Sequence, residues 1–217
     1  YKTGKGLPKQ LFSHSDQTVQ WQISIADRPF ETGWGGRMAD MVNAMNSNNQ
    51  ISMSISLSGT NRFELGKTVT QYAGGSTGAN TINYGSTGSS ATYNLRSAAV
   101  HNLMDNPQAN LLAAAFGKLS DNAIADSELL SGVLKTAPAL KTMFPSGTFG
   151  SRMSTIARII SVASELGLKR QIFFVQLGGW DMHGGQVDGH GPLLAEISKA
   201  LKAFYAATVE LGVADQV

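Results

Sequence analysis

The chain has no cysteine, which excludes disulfides, CxxC redox chemistry and thiolate zinc sites. Charge is also scarce. Asp, Glu, Lys and Arg make up 15% of the residues, where about 25% is usual for soluble domains, and Ser, Thr, Asn, Gln and Gly fill the gap. A weakly charged polar surface of this kind is commoner among exported proteins, so a periplasmic or extracellular location is expected. The 17 basic and 15 acidic residues leave a net charge of +2. No basic block or aromatic stripe tracks a phosphate backbone, which argues against nucleic acid as a partner. Long hydrophobic runs are missing too. Stretches such as Leu111 to Phe116 fall far short of the roughly 18 residues a membrane span requires. No signal peptide opens the chain, and "YKTGKGLPKQLFSHSD" does not resemble a natural protein start, so the sequence is expected to begin inside a longer protein.

Three enzyme motifs can be dismissed. "GKT" at 66–68 lacks the phosphate-loop glycine five residues earlier, where Asn61 stands. "GWGGRM" lacks both a preceding strand and the last glycine of a dinucleotide fingerprint. No G-x-S-x-G elbow occurs, which argues against an ordinary α/β-hydrolase.

What is present reads as one α/β domain over 1–217, expected to be the central fragment of a longer domain. Met38, Met41, Val42 and Met45 recur at helical spacing, and the stripe is expected to be plain core packing. "ISMSISLSG", residues 51–59, alternates apolar residues with serines and predicts a strand with one buried face. "KTVTQY" is expected to supply a second strand. Residues 74–90 carry five glycines and almost nothing apolar, which predicts a long, functional or mobile loop. Helices are expected over about 91–104, about 108–135 with a break near Asp121, and about 151–168. "QIFFVQL" then predicts a strand buried on both faces, as in a parallel sheet. The helical pattern resumes at about 192–211, and "VADQV" is expected to lead into another strand, which would complete a βαβ unit. His101 lies within a predicted helix and is read as structural.

Two clusters carry chemistry. "GGWDMHGGQVDGHG" follows a predicted strand end, where α/β sheets bind ligands. Asp181 and His183, one residue apart, project the same way from an extended backbone and are spaced to share one metal ion. The alternative is a glycine turn capped by Asp181 with His183 merely exposed. The second cluster is Ser13, His14, Ser15 and Asp16, the groups an activated hydroxyl nucleophile with local acid or base help would use. The same residues also suit an ordinary helix cap, with Ser15 or Asp16 as the N-cap.

Together "LPKQLFSHSDQTVQWQ", "TGWGGRMADMVN", "FFVQLGGWDMHGGQ" and "LLAEISKALKAFYAATVELGVADQV" resemble successive blocks of the bacterial domain-of-unknown-function family 1501 (DUF1501). Met182 stands where that family's GGWDTH-type block has threonine. The family is grouped with the alkaline phosphatase and sulfatase superfamily, and many members are exported. The resemblance implies a mostly parallel sheet flanked by helices, an alkaline-phosphatase-like core, and a divalent metal, Zn or Mn, at the strand ends. It places Asp181 and His183 as metal ligands, His190 as a weaker ligand or supporting group, and Ser13 as the nucleophile with Ser15 as fallback and His14 beside them. The substrate implied is a small-molecule or polymeric phosphate or sulfate ester. Trp180 would shape the pocket wall, and Arg37 would clamp the anion or cap a surface. The family's earlier GG-x-D segment and its later "DFGRT" and Asp-His blocks do not occur here, so an incomplete metal shell is expected. The alternative reading is a non-catalytic exported binding or scaffold protein with the same fold.

Overall fold

The structure, a computed structural model, describes residues 10, 12–25, 31–47, 50–82, 84, 90–107 and 109–217. Its centre is a three-stranded, wholly parallel sheet of order β2-β1-β3, with β1 Ser54–Ser56, β2 Gln71–Ala73 and β3 Ile172–Phe174. Helices α1 His14–Ile23, α2 Trp34–Val42, α3 Ala91–Asp105, α4 Leu111–Thr136, α5 Thr148–Ser161 and α6 Gln186–Glu210 surround it. The fold class is α/β, as the alternation of patterns predicts.

Strand β1 corrects one expectation. Ser54, Ile55 and Ser56 are all fully buried, so the serines face protein as well. The strand is central, and its neighbours and the helices leave it no solvent face. The core around it gathers Met53, Ile55, Leu57 and Val69 with Leu130, Leu134, Met153, Ile156, Ile159 and Leu166. Strand β3 corrects another: it is half-buried throughout, because it forms an edge of the sheet instead of its middle. Residues 214–216, in the stretch expected to lead into another strand, form a turn.

The methionine stripe is turned outward. Met38, Met41 and Met45 are exposed, and α2 buries Gly35, Gly36 and Ala39 instead. The reason is close approach. A Cβ on Gly36 would stand 2.1 Å from the Leu65 carbonyl carbon, so only the glycine face can lie against the 62–65 backbone.

The β1–β2 connection, residues 57–70, crosses between parallel strands without a helix, the usual covering element. Two carboxylates fasten it. Asp40 accepts from Lys67 N (2.7 Å), Thr68 N (3.0 Å), Thr68 Oγ1 (2.7 Å) and Val69 N (2.8 Å). The "GKT" turn is thus an anion nest filled by the protein's own carboxylate. Burial works to raise Asp40, but the donated bonds outweigh it and hold the carboxyl at about 2 against its ordinary 3.8. Glu64 is fully buried; Asn61 Nδ2 donates to its Oε2 (2.9 Å), while Oε1 has no partner. Burial pushes Glu64 up from 4.5 to about 7, against the pull of the Asn61 bond.

Of the residues predicted as a long loop, 74–82 and 84 are described and 83 and 85–89 lie outside the described residues. The described part is tied down: Thr155 Oγ1 donates to Ser76 O, Arg96 Nη1 donates to Tyr84 O (both 2.8 Å), and Tyr84 is buried. Helix α4 runs unbroken past Asp121, with Gln108 outside the described residues. Its first half exposes Leu111, Leu112, Phe116 and Leu119, whereas its second half buries Ile124, Leu130 and Leu134. His101 on α3 is paired across helices: its Nδ1 lies 2.8 Å from Asp121 Oδ1 on α4. Helix α5 ends at Ser161, and turns occupy 162–167, ending on Gly167. Helix α6 starts at Gln186, so "QVDGHG" is helical and Pro192 lies inside the helix. Asp188 in the first turn faces the positive helix end, which favours this early start despite two glycines.

Candidate functional site

The carboxyl ends of β1 and β3 lead into two loops that are tied together, Gln176 N donating to Ser58 Oγ at 2.9 Å. From β3 the chain runs through 175–185 to α6. Gly179 adopts φ +92, a left-handed conformation that suits glycine. Trp180 Nε1 donates to Leu177 O at 2.9 Å and closes the turn. His190, one helical turn into α6, places Nε2 3.3 Å from Trp180 O, and its ring lies 5.4 Å from the indole. His190 therefore braces the turn that carries Asp181, and Trp180 serves that turn before any pocket wall.

Helix α1 brings the other cluster to the same place. Ser13 is its N-cap: Ser13 Oγ accepts from Asp16 N at 3.3 Å and lies 3.1 Å from Ser15 Oγ. The cap is one residue type expected but at an earlier position than Ser15 or Asp16. His14, the first helical residue, faces Asp181, with Nδ1 3.4 Å from Asp181 Oδ2. His183 Nε2 lies 3.5 Å from the same oxygen. Residues far apart in the sequence thus converge on one carboxylate oxygen. Both gaps exceed a hydrogen bond. The three side chains are 78%, 63% and 85% exposed for His14, Asp181 and His183, so water and solutes reach them freely.

The donor types suit zinc or manganese. Two tetrahedral ligands each about 2.0–2.2 Å from one ion lie about 3.4 Å apart, which both pairs approach. Among the described residues, however, no group of three or more His, Cys, Asp or Glu side chains could hold a metal ion. The residues fit as ligand pairs sharing Asp181, not as a closed shell.

Ser15 also lines a cleft of about 490 Å³, together with Thr18, Gln22, Asn61, Arg62 and Gln176. Several of its polar groups are committed to the fold: Gln22 Oε1 accepts from Arg62 N (2.8 Å), and Asn61 and Gln71 bond reciprocally. Arg37 stands elsewhere. Its Nη1 and Nη2 donate to Thr32 O and Ile23 O, both at 2.8 Å, which ties α2 to the end of α1. It thus fastens two helices to each other. The sequence offered no signal for Gln22, Asn61 or Gln176, because their places depend on how the 57–70 crossover lies against α1.

No helix among the described residues is long and apolar enough to cross a membrane. Comparison with protein-family models, curated proteins and solved structures finds no match to this chain.

Proposed function

We propose that this chain carries part of the active site of an exported, metal-dependent hydrolase of phosphate or sulfate esters, related to DUF1501 and built on an alkaline-phosphatase-like core. The observation that supports the reading is the meeting of His14, Asp181 and His183 around one carboxylate oxygen at the carboxyl end of a parallel sheet. Asp181 and His183 would hold Zn or Mn, with His14 at ligand distance from the same oxygen. Such an ion supplies Lewis-acid charge for the ester oxygens and eases deprotonation of a nucleophile.

The chain's own residues do the rest. The first turn of α1 would offer the positive end of its helix dipole to an ester anion bound there. Ser13 Oγ is engaged by Asp16 N, which leaves Ser15, its partner at 3.1 Å, as the freer hydroxyl toward the cleft. His14, beside both serines and with Nδ1 3.4 Å from Asp181 Oδ2, would supply the local acid or base help.

The test is elemental analysis of the purified protein after incubation with Zn or Mn, with Asp181→Ala and His183→Ala as controls and aryl phosphate and aryl sulfate as probes. Stoichiometric metal, lost in both variants together with ester cleavage, supports the reading. Absence of metal and turnover from wild type would overturn it in favour of a non-catalytic binding or scaffold protein.

A further inference from the structure

Between α4, the edge strand β2 and the 51–53 segment that leads into β1 lies a cavity of about 710 Å³ that the ester-hydrolase reading does not use. Its wall includes Tyr72, Asn80, Asn122, Ala123, Asp126 and Ser127. Asp126 is the one carboxylate among the described residues lining it, and no lysine, arginine or histidine joins it there. Its side chain is half-buried and makes no hydrogen bond or ion pair among the described residues.

A second polar group in the wall is deeply buried. Ser127, 3% exposed, accepts from the Tyr72 hydroxyl at 3.3 Å, and its oxygen keeps a further lone pair. Burial lifts Asp126 from 3.8 to about 6 with nothing to offset it. Tyr72 is raised as well, first by burial and also by the Asp126 charge. The wall thus presents unneutralised negative charge and neutral amide and hydroxyl acceptors around a space large enough for a small ligand.

We propose that this cavity is a binding site for a small organic cation, a ligand with an ammonium group that pairs with Asp126 while neutral acceptors such as Ser127 and Asn80 take its remaining N–H bonds. A bound metal ion is a poorer occupant, since a single carboxylate among amides does not make a shell for one. An anionic ligand would meet Asp126 unpaired.

The test is calorimetric titration of the whole chain with n-butylammonium and putrescine, with n-butanol as the neutral isostere. Saturable binding of the amines, at least tenfold tighter than the alcohol, is expected. Asp126→Asn keeps the shape and removes the charge, and it should weaken amine binding at least tenfold. Ala123→Phe, on the exposed side of α4, keeps the carboxylate and fills the space, and it should abolish binding while the helical circular dichroism spectrum stays unchanged. Two results would overturn the proposal: no saturable amine binding to wild type, or amine affinity unchanged in both variants, which would mean association with the general surface. The readout needs no metal and no ester turnover, so its failure leaves the hydrolase reading standing, and the reverse also holds.

Discussion

The two carboxylates that fasten the β1–β2 crossover differ in a way that burial alone would not predict. Asp40 sits at the half-exposed end of α2 and collects four hydrogen bonds from residues 67–69. Glu64 is wholly buried, receives a side-chain bond from Asn61 on one oxygen and leaves the other unpaired. The first is held at about 2 and the second is pushed up to about 7. A carboxylate's role in this fold follows from how many donors reach it as well as from how deep it lies: donated bonds hold Asp40 down, and burial pushes Glu64 up.

The strongest way to break the contrast is Asp40→Ala. It strips the 67–69 turn of its acceptor, and a loss of about 3–4 kcal/mol is expected in urea unfolding, from bonds to a charged group left unmade. Asp40→Asn should recover part of this, since one amide oxygen still accepts. Glu64 gives the next largest effect, and with the opposite pH dependence. Its folded pKa is raised, so its contribution is fully present below about 4.5 and is lost as pH rises through about 7. Wild-type stability should therefore fall by on the order of 2–3 kcal/mol across that window. Asp126 titrates in the same direction between 3.8 and about 6, so the Glu64 contribution is read above pH 6. Glu64→Gln should flatten that part of the curve, and an unchanged slope would show that the Asn61 corner stays charged. Asp40 acts at the other extreme: its contribution is present above about 3.8 and disappears as pH falls through about 2.

The Asp181 region extends the comparison to a carboxylate the fold does not use. Asp181→Asn should change unfolding free energy by less than about 0.5 kcal/mol, as for other exposed surface sites, while the metal content is lost if the hydrolase reading holds. A loss comparable to that of Asp40→Ala would show that the cluster is a structural brace. The smallest effect is expected at the partly exposed His101–Asp121 pair, where His101→Ala should cost roughly 0.5 kcal/mol or less. Thermal melts at low and high salt would detect it as a difference that salt erases.

These contrasts also mark how far the sequence could be read. The α/β class, helices α2, α5 and α6 and the richness of both His-Asp clusters are visible in periodicity and residue type. The Asp40 nest is not, because its acceptor and donors lie some 27 residues apart, and the same loop reads as a failed phosphate motif. The outward methionines were missed for a related reason. Amphipathic spacing locates two faces of a helix but does not say which one is inside when the opposite face is glycine and alanine. The serines of β1 read as solvent-facing because alternation alone cannot tell a central strand from an edge. That His14 and Asp181 meet depends on where α1 docks, which no local pattern encodes.

The outward turn of α2 also sets the chemistry of oxidation in this cysteine-free chain. Met38, Met41 and Met45 stand in water, as does Met143, while Met53 and Met153 are 1% and 5% exposed in the core. Peroxide therefore reaches the surface sulfurs first, and their sulfoxides add polarity where water already is. Mass spectrometry of a briefly oxidised sample would find the added oxygen on Met38, Met41, Met45 and Met143 while the sheet and α5 remain folded, so those thioethers act as a sacrificial layer over a core whose own sulfurs stay reduced.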